Sequence, residues 1–148
     1  VARFESITNT TTDGSNLGRF DVWTSSINMF KDHPVTGVGI GQWRTIYESS
    51  YRLPTENQHL YHAHNNFIQL LGEVGLLGLL GVLISYGSII VDNFVVWFKK
   101  RDPYSLCAMI AVICYVFVFG QVEYTLDNSS GMRIMYFMLA TMLQLRDN

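Results

Sequence analysis

The chain has 148 residues and a net charge of −2, with 15% charged and 49% hydrophobic residues and a mean hydropathy of +0.18. Soluble domains average about 25% charged residues, so this composition favours a small multipass membrane unit over a soluble domain. The slightly negative charge, without a basic stripe interleaved with aromatic residues, excludes a nucleic-acid-binding surface.

The first half of the chain, residues 1–66, is polar and contains one amphipathic pattern. Apolar residues recur at spacings of three and four, which is typical of one face of a helix; they are Phe20, Trp23, Ile27 and Phe30. This face would either rest on a membrane surface or form the core side of an ordinary helix. Residues 1–17 and 45–58 are polar and irregular, and we predict that they form loops.

A glycine-rich turn, TGVGIG, follows the helical pattern after Pro34. Gly37, Gly39 and Gly41 would suit a phosphate-binding loop if a strand preceded them and a helix followed in a parallel sheet. The preceding segment is helical, so we instead predict a turn in which the backbone passes close to another part of the chain.

Three histidines, His59, His62 and His64, lie just before the first long apolar run. They would supply ligands for zinc, although neither a cysteine nor an HExxH pattern lies nearby. They would equally suit acid–base or hydrogen-bonding work on a substrate, because imidazole titrates near neutral pH. A third interpretation, that they are ordinary loop histidines near an interface, also stays open.

Three apolar runs follow, over about residues 70–98, 105–122 and 131–145. A membrane-spanning helix needs about 20 apolar residues, so the first two are long enough and the third is short. We therefore predict an all-α membrane protein with an extracytoplasmic loop region of short helices (1–66) and a transmembrane region of about three helices (67–148). No signal peptide is predicted, and glycines at 72, 75, 78 and 81 form a seam typical of helix packing in lipid. We expect a fragment of a larger helical bundle.

The distribution of basic residues predicts the orientation in the membrane. The sequence KKRDP, Lys99–Pro103, joins the first two apolar runs and is typical of a cytoplasmic loop. Residues 1–66 and 123–130 would then lie outside the cytoplasm, and the C-terminal RDN inside. Pro103 would mark the start of the second span.

Three arginines are candidate anion-binding residues: Arg19, Arg44 and Arg133. The guanidinium group suits a diphosphate because its planar fork offers paired donors and stays charged. Arg19 and Arg44 would otherwise be solvated or salt-bridged surface residues. Arg133 lies one turn inside the third apolar run, where a charge is costly. It would extend outward, pair with Glu123 or Asp127, or point into a polar cavity.

The sequence GRFDVWTSSINMFKDHPVTGVGIGQW, followed by HAHNNFIQLLGEVGLLGLL, resembles the bacterial O-antigen ligase and O-antigen polymerase superfamily. Members show an Arg a few residues before a Trp, then Asp-x-Pro, a Gly-x-Gly turn, a His-Asn pair and a Glu-x-Gly-Leu helix start. The match runs in order from Arg19 to about Leu80. The chain would be the C-terminal part of such a protein.

The resemblance implies a multipass glycosyltransferase of the bacterial inner membrane, active on the outer face. Such enzymes transfer glycans from undecaprenyl diphosphate to an acceptor glycan, a lipid A core or a protein, without a nucleotide sugar, a metal or another cofactor. Arg19 matches the outer-loop arginine that engages the diphosphate. His64 and Asn65 match the His-Asn pair near the acceptor.

These assignments give an expected division of roles. Arg19 would stabilise charge on the departing diphosphate and His64 would accept the acceptor's hydroxyl proton, which makes them the expected catalytic residues. The expected substrate-binding residues are Asn65, Arg44, Arg133 and His62. The alternative function is a non-catalytic multipass membrane anchor or assembly subunit.

Overall fold

A computed structural model describes residues 14–54, 56 and 60–147, and these residues form helices joined by turns and irregular segments, without any strand. The helices are α1 (Gly14–Asp32), α2 (Trp43–Ile46), α3 (Asn66–Lys100), α4 (Pro103–Val112) and α5 (Ser129–Asp147). A π-helical turn, Tyr47–Tyr51, follows α2, and α4 continues through a π-helical turn, Ile113–Val118, and a 3₁₀ turn, Phe119–Gln121. The predicted all-α fold is confirmed.

The described chain forms two compact units. The N-terminal unit comprises the described residues up to His64 together with Ile68–Leu77, and the C-terminal unit comprises Asn65–Phe67 and the chain from Gly78 onward. The first turns of α3 therefore pack with the polar half of the sequence. The predicted division into an extracytoplasmic and a transmembrane region concerns the position of the membrane and stays a prediction.

Helix α1 forms as predicted, but it buries a different face from the apolar stripe of the sequence. Its buried residues are Val22, Ser25, Ser26 and Met29, whereas Phe20 is 51% exposed. The two serines are buried because their hydroxyls bond to carbonyl oxygens, Ser25 to Tyr51 at 2.7 Å and Ser26 to Val22 at 2.9 Å. Of the stripe, Trp23 packs against the core of the N-terminal unit, so the core-side interpretation holds for that residue while the main buried face lies elsewhere on the helix.

The loop predictions are wrong at two places. Residues 14–17 belong to α1, and residues 45–51 lie in α2 and the π-helical turn that follows it. Trp43 and Tyr47 explain the second helical stretch, because their rings stack at 4.8 Å and are buried in the core of the N-terminal unit. Residues 1–13, 55 and 57–58 lie outside the described residues.

Gly75 interrupts α3 with φ of 64° and ψ of −162°, a conformation that favours glycine. The two amide N–H groups after the break, on Leu76 and Leu77, donate to the carbonyls of Pro34 and Val35 at 2.9 and 3.1 Å. The helix loses its own bonds at this point, and the chain before the glycine-rich turn replaces them.

The glycine-rich turn lies directly on the backbone of α3. The N–H groups of Val38 and Gly39 donate to the carbonyls of Gly72 and Glu73 at 3.0 and 2.8 Å. Gly37 has φ of 63°, and a Cβ there would overlap the Glu73 backbone. The predicted close approach of two backbone segments is thus confirmed.

The predicted glycine seam of α3 divides at the same place. Added Cβ atoms at Gly72 and Gly75 would meet Ser26 and Val35 respectively, within the N-terminal unit. Gly81 has open space around it in the described structure. The first two glycines therefore serve packing inside this chain.

Two helices of the described chain are long and apolar enough to cross a membrane, Asn66–Lys100 and Pro103–Gln121. Their most apolar windows are only 11% and 28% buried. A soluble core helix would bury most of such a surface, so these helices suit a lipid environment. Between them, Asp102 caps α4 by accepting the Ser105 N–H at 2.6 Å, and Pro103 occupies the first turn as predicted.

The third apolar run forms α5, and whether this helix spans the membrane stays a prediction. Near its end, Arg146 Nη1 lies 3.1 Å from Asp92 Oδ2 of α3. The C-terminal tail is therefore at the same end of the C-terminal unit as the basic turn Lys99–Pro103. The predicted topology requires this arrangement.

Candidate functional site

The chain carrying the histidines, residues 60–64, is here called the histidine segment. Ala63 lies between the two described histidines of the segment and is fully buried. The Ala63 carbonyl accepts a hydrogen bond from the indole N–H of Trp23 at 2.6 Å, and its N–H donates to Gln69 Oε1 at 2.8 Å. Two side chains, one from α1 and one from α3, therefore fix the two peptide groups that join Ala63 to His62 and His64.

His62 and His64 are brought together, and both are half-buried. Their ring centroids lie 4.1 Å apart, and the His64 N–H donates to His62 Nδ1 at 3.2 Å. Because Nδ1 of His62 accepts, a neutral His62 carries its proton on Nε2. His59 lies outside the described residues, so the zinc interpretation stays open.

His64 has φ of 48°, which is uncommon for a residue with a side chain. Its neighbours impose this conformation, because Ala63 is held on both sides and Asn65 begins the cap of α3. Such conformations are frequent where a side chain must be aimed. The imidazole of His64 therefore projects from a backbone with little freedom to turn.

Asn65 is buried and caps the N-terminus of α3. Its Oδ1 accepts the Phe67 N–H at 2.9 Å, and its amide nitrogen donates to the backbone oxygen of Gln121 at 3.1 Å. An asparagine at this position stabilises a helix by satisfying an otherwise unpaired N–H group. The structure thus gives Asn65 a capping role, and its predicted substrate contact stays a prediction.

Asn66 is a fully buried polar residue that sequence reasoning missed. Its amide nitrogen donates to the Val116 carbonyl at 3.0 Å and to Thr125 Oγ1 at 2.8 Å, and its Oδ1 accepts the Thr125 N–H at 2.7 Å. Val116 lies in the π-helical turn, a distortion that changes which carbonyls are available. The sequence indicates this buried group only by the pair Asn65 and Asn66, two uncharged polar residues at the start of an apolar run.

The arginines of the N-terminal unit differ in their partners. Arg44 Nε lies 3.1 Å from Glu48 Oε1, and Arg52 Nε lies 3.8 Å from Glu56 Oε2. Arg19 is half-buried, and its side chain has neither a hydrogen bond nor an ion pair with the residues that the structure describes. Burying an uncompensated cation is unfavourable, so Arg19 is suited to an external anion.

Arg44 also lies against the histidine segment. Its guanidinium carbon is 4.1 Å from the centre of the Tyr61 ring, directly before His62 in sequence. A cation over an aromatic face is attracted to it. This places Arg44 beside the candidate site, although its side chain is exposed and shared with Glu48.

Arg133 does not pair with Glu123 or Asp127 in any contact that the structure describes. Its side chain is exposed, and Nε donates to the Ser129 carbonyl, one turn earlier in α5, at 2.9 Å. The guanidinium therefore extends toward the N-terminal end of the helix, as one of the three predicted orientations requires. Its role in substrate binding stays a prediction.

Sequence reasoning also missed a buried polar group of the N-terminal unit. Glu56 is 5% exposed, and it faces Arg52 and the buried Tyr47. Burial, and next the Glu56 carboxylate, raise the pKa of the Tyr47 hydroxyl. The spacing of Tyr47, Arg52 and Glu56 in the sequence does not indicate that they lie together.

Comparison with known proteins gives two matches. A family model described as O-antigen ligase matches residues 1–83, which is more than half of the chain. The exopolysaccharide production protein ExoQ of Rhizobium meliloti (strain 1021) is 27% identical over 136 residues, covering 84% of this chain. The chain spans about 30% of the length of that relative. No solved structure matches the chain.

Proposed function

This chain belongs to the O-antigen ligase family, and on that premise we propose that it carries the acceptor-side and leaving-group residues of a membrane glycosyltransferase. The enzyme would transfer glycan from an undecaprenyl-diphosphate-linked donor to an acceptor glycan, lipid core or protein. The site would lie at the outer face of the bacterial cytoplasmic membrane, where a lipid-borne donor meets water. The apolar exposure of α3 and α4 supports this location.

The observation that carries the proposal is the state of Arg19. It is a half-buried cation without an acidic partner among the described residues, while Arg44 and Arg52 of the same unit each face a glutamate. A diphosphate leaving group supplies the missing negative charge. Preorganised donors at such a group lower the barrier, because the charge increases as the bond breaks.

The proposed reaction is a single displacement at the anomeric carbon. The acceptor's hydroxyl oxygen attacks that carbon, and the bond from the carbon to the diphosphate oxygen breaks as the new glycosidic bond forms. The hydroxyl proton passes to a ring nitrogen of His64. Arg19, assisted by Arg44, stabilises the lipid diphosphate that leaves.

The test uses the intact parent protein in a strain that lacks its own copy, with polysaccharide output and membrane abundance as readouts. Arg19→Ala should lower glycan transfer roughly 10²–10³-fold, and His64→Ala should lower it by about 10²–10⁴-fold. Abundance should stay unchanged in both variants.

Matched controls exist for both residues. Arg101 is an exposed arginine that lies over the rings of Trp97 and Phe98, and His33 is an exposed histidine at the end of the α1 region. Arg101→Ala and His33→Ala should transfer glycan normally. If Arg19→Ala and His64→Ala also transfer normally, the proposal fails and the non-catalytic anchor or assembly subunit is favoured.

A further inference from the structure

A hydrogen bond between residues far apart in sequence attaches the histidine segment to α1. The indole N–H of Trp23 donates to the carbonyl of Ala63 at 2.6 Å, across 40 residues of sequence. Ala63 is fully buried and lies between His62 and His64. Movement of this carbonyl would therefore change the direction of both imidazoles.

Trp23 also shares a helix face with Arg19. The two residues are four apart within α1, and side chains at this spacing are neighbours, with Cβ atoms about 5–6 Å apart. We propose that Trp23 is a positioning residue, whose indole N–H holds the imidazole of His64 in register with the guanidinium of Arg19. This inference rests on the proposed glycosyltransferase function.

The preceding peptide, between His62 and Ala63, is fixed by a chain of side-chain bonds. Gln69 Oε1 accepts the Ala63 N–H at 2.8 Å, and Gln69 Nε2 donates to Glu73 Oε2 at 3.0 Å. The other carboxylate oxygen accepts the Gly41 N–H at 2.6 Å. Both oxygens of Glu73 accept a hydrogen bond, so Gln69 turns its NH₂ to Glu73 and its oxygen to Ala63. The orientation of the His62–Ala63 peptide is thereby determined from α3.

A substitution of Trp23 can distinguish a positioning role of this residue from a role in packing. Phenylalanine in place of Trp23 keeps an aromatic ring near Phe20, whose ring lies 5.6 Å away, but has no N–H group. The freed carbonyl would let residues 62–64 leave the strained φ of His64. Displacing a catalytic group by about 1 Å can lower a rate by roughly 100-fold.

The experiment compares Trp23→Phe with Trp43→Phe in the full-length parent protein. Trp43 is the matched control, because its indole N–H also donates a hydrogen bond within the N-terminal unit, to Ser26 Oγ at 3.2 Å. Membrane vesicles receive lipid-linked glycan extracted from the same bacterium over a range of concentrations. We expect Trp23→Phe to lower kcat roughly tenfold or more with little change in KM. The two variants should be equally abundant in the membrane, and Trp43→Phe should keep the higher kcat.

Equal kcat values for the two variants, at equal abundance, would overturn the positioning role. A parallel measurement on His64→Ala separates this result from failure of the proposed function. If His64→Ala is inactive, the function stands while the role of Trp23 falls; if His64→Ala is active, the function itself is contradicted. Should Trp23→Phe not accumulate, Gln69→Met releases the adjacent His62–Ala63 peptide, on the other side of Ala63, and must lower kcat likewise.

Discussion

In the N-terminal unit, the backbone of turns is held by hydrogen bonds from segments distant in sequence, whereas in the C-terminal unit long apolar helices pack mainly through side chains. The former buries Ser25, Ser26, Gln69 and Glu73, while the latter has a core of residues such as Val112, Val116 and Leu139. The difference shows that a membrane protein can place directional bonds where it needs fixed geometry. Within the C-terminal unit, the exceptions include the Asn66 cluster, the bond from Asn65 to Gln121 and the bond between the hydroxyls of Tyr86 and Tyr136.

The largest effect is expected at the break in α3. Gly75→Ala introduces a Cβ that overlaps the Val35 carbonyl and forces a side chain into φ of 64°. We expect a loss of roughly 2–4 kcal/mol in the free energy of unfolding. Thermal unfolding of the parent protein in detergent measures it.

Gly81→Ala is the control for that substitution, because its Cβ meets no described atom within 4 Å. It should leave the unfolding midpoint unchanged or slightly higher. Equal destabilisation by the two variants would mean that the close contacts and hydrogen bonds around Gly75 do not make this position more sensitive than one in the C-terminal unit.

The second prediction tests the Asn66 cluster of the C-terminal unit. Asn66→Ala leaves the Thr125 N–H and the Val116 carbonyl without their buried partner, at a cost of about 2–3 kcal/mol. Asn93→Ala should cost less, because the Asn93 amide bonds only to Ile89, one turn back in the same helix, in the described contacts. Chemical denaturation of both variants gives the comparison. If Asn66→Ala is as stable as Asn93→Ala, the hydrogen bonds of Asn66 do not contribute more to stability than a bond within one helix.

The smallest effect concerns the turn between the two apolar helices. Hydrogen bonding from Ser105 holds the pKa of Asp102 below its ordinary value. The stabilisation is therefore complete above the unfolded pKa of about 4, and it is lost as the pH falls through the lower pKa of the folded state. Asp102→Asn keeps a capping oxygen but removes the titration.

Unfolding midpoints at pH 6 and pH 3 measure this contribution. The decrease toward low pH should be smaller in Asp102→Asn than in the unsubstituted protein, and Asp127→Asn, an exposed carboxylate elsewhere, serves as the control. If Asp102→Asn shows the full decrease, the cap has no part in the acid sensitivity.

Local patterns in the sequence predicted several of these features. The apolar runs predicted the long helices, Pro103 predicted a helix start, and the glycine-rich turn predicted a close backbone approach, all of which the structure contains. Each feature depends on residues that are neighbours in sequence, or on the length of a run. The family resemblance is likewise confirmed.

The remaining features depend on partners that are far apart in the chain. The buried face of α1 was mispredicted because serines are ordinarily exposed, and Ser25 is buried only because Tyr51 offers it a carbonyl. The bond from Trp23 to Ala63 has no periodic signature. The apolar run continues without interruption through Gly75, so nothing in the sequence indicated that the helix breaks there.

The break at Gly75 also determines where the length of the chain can change. One inserted or deleted residue between Asn66 and Gln69 would rotate the following helix face by about 100°, carrying Glu73 away from Gly41 and Gln69 away from Ala63. Beyond Gly81, apolar side chains such as Ile84 are exposed, and in a lipid environment one such side chain can replace another. Insertions and deletions should therefore be tolerated after the break and selected against before it.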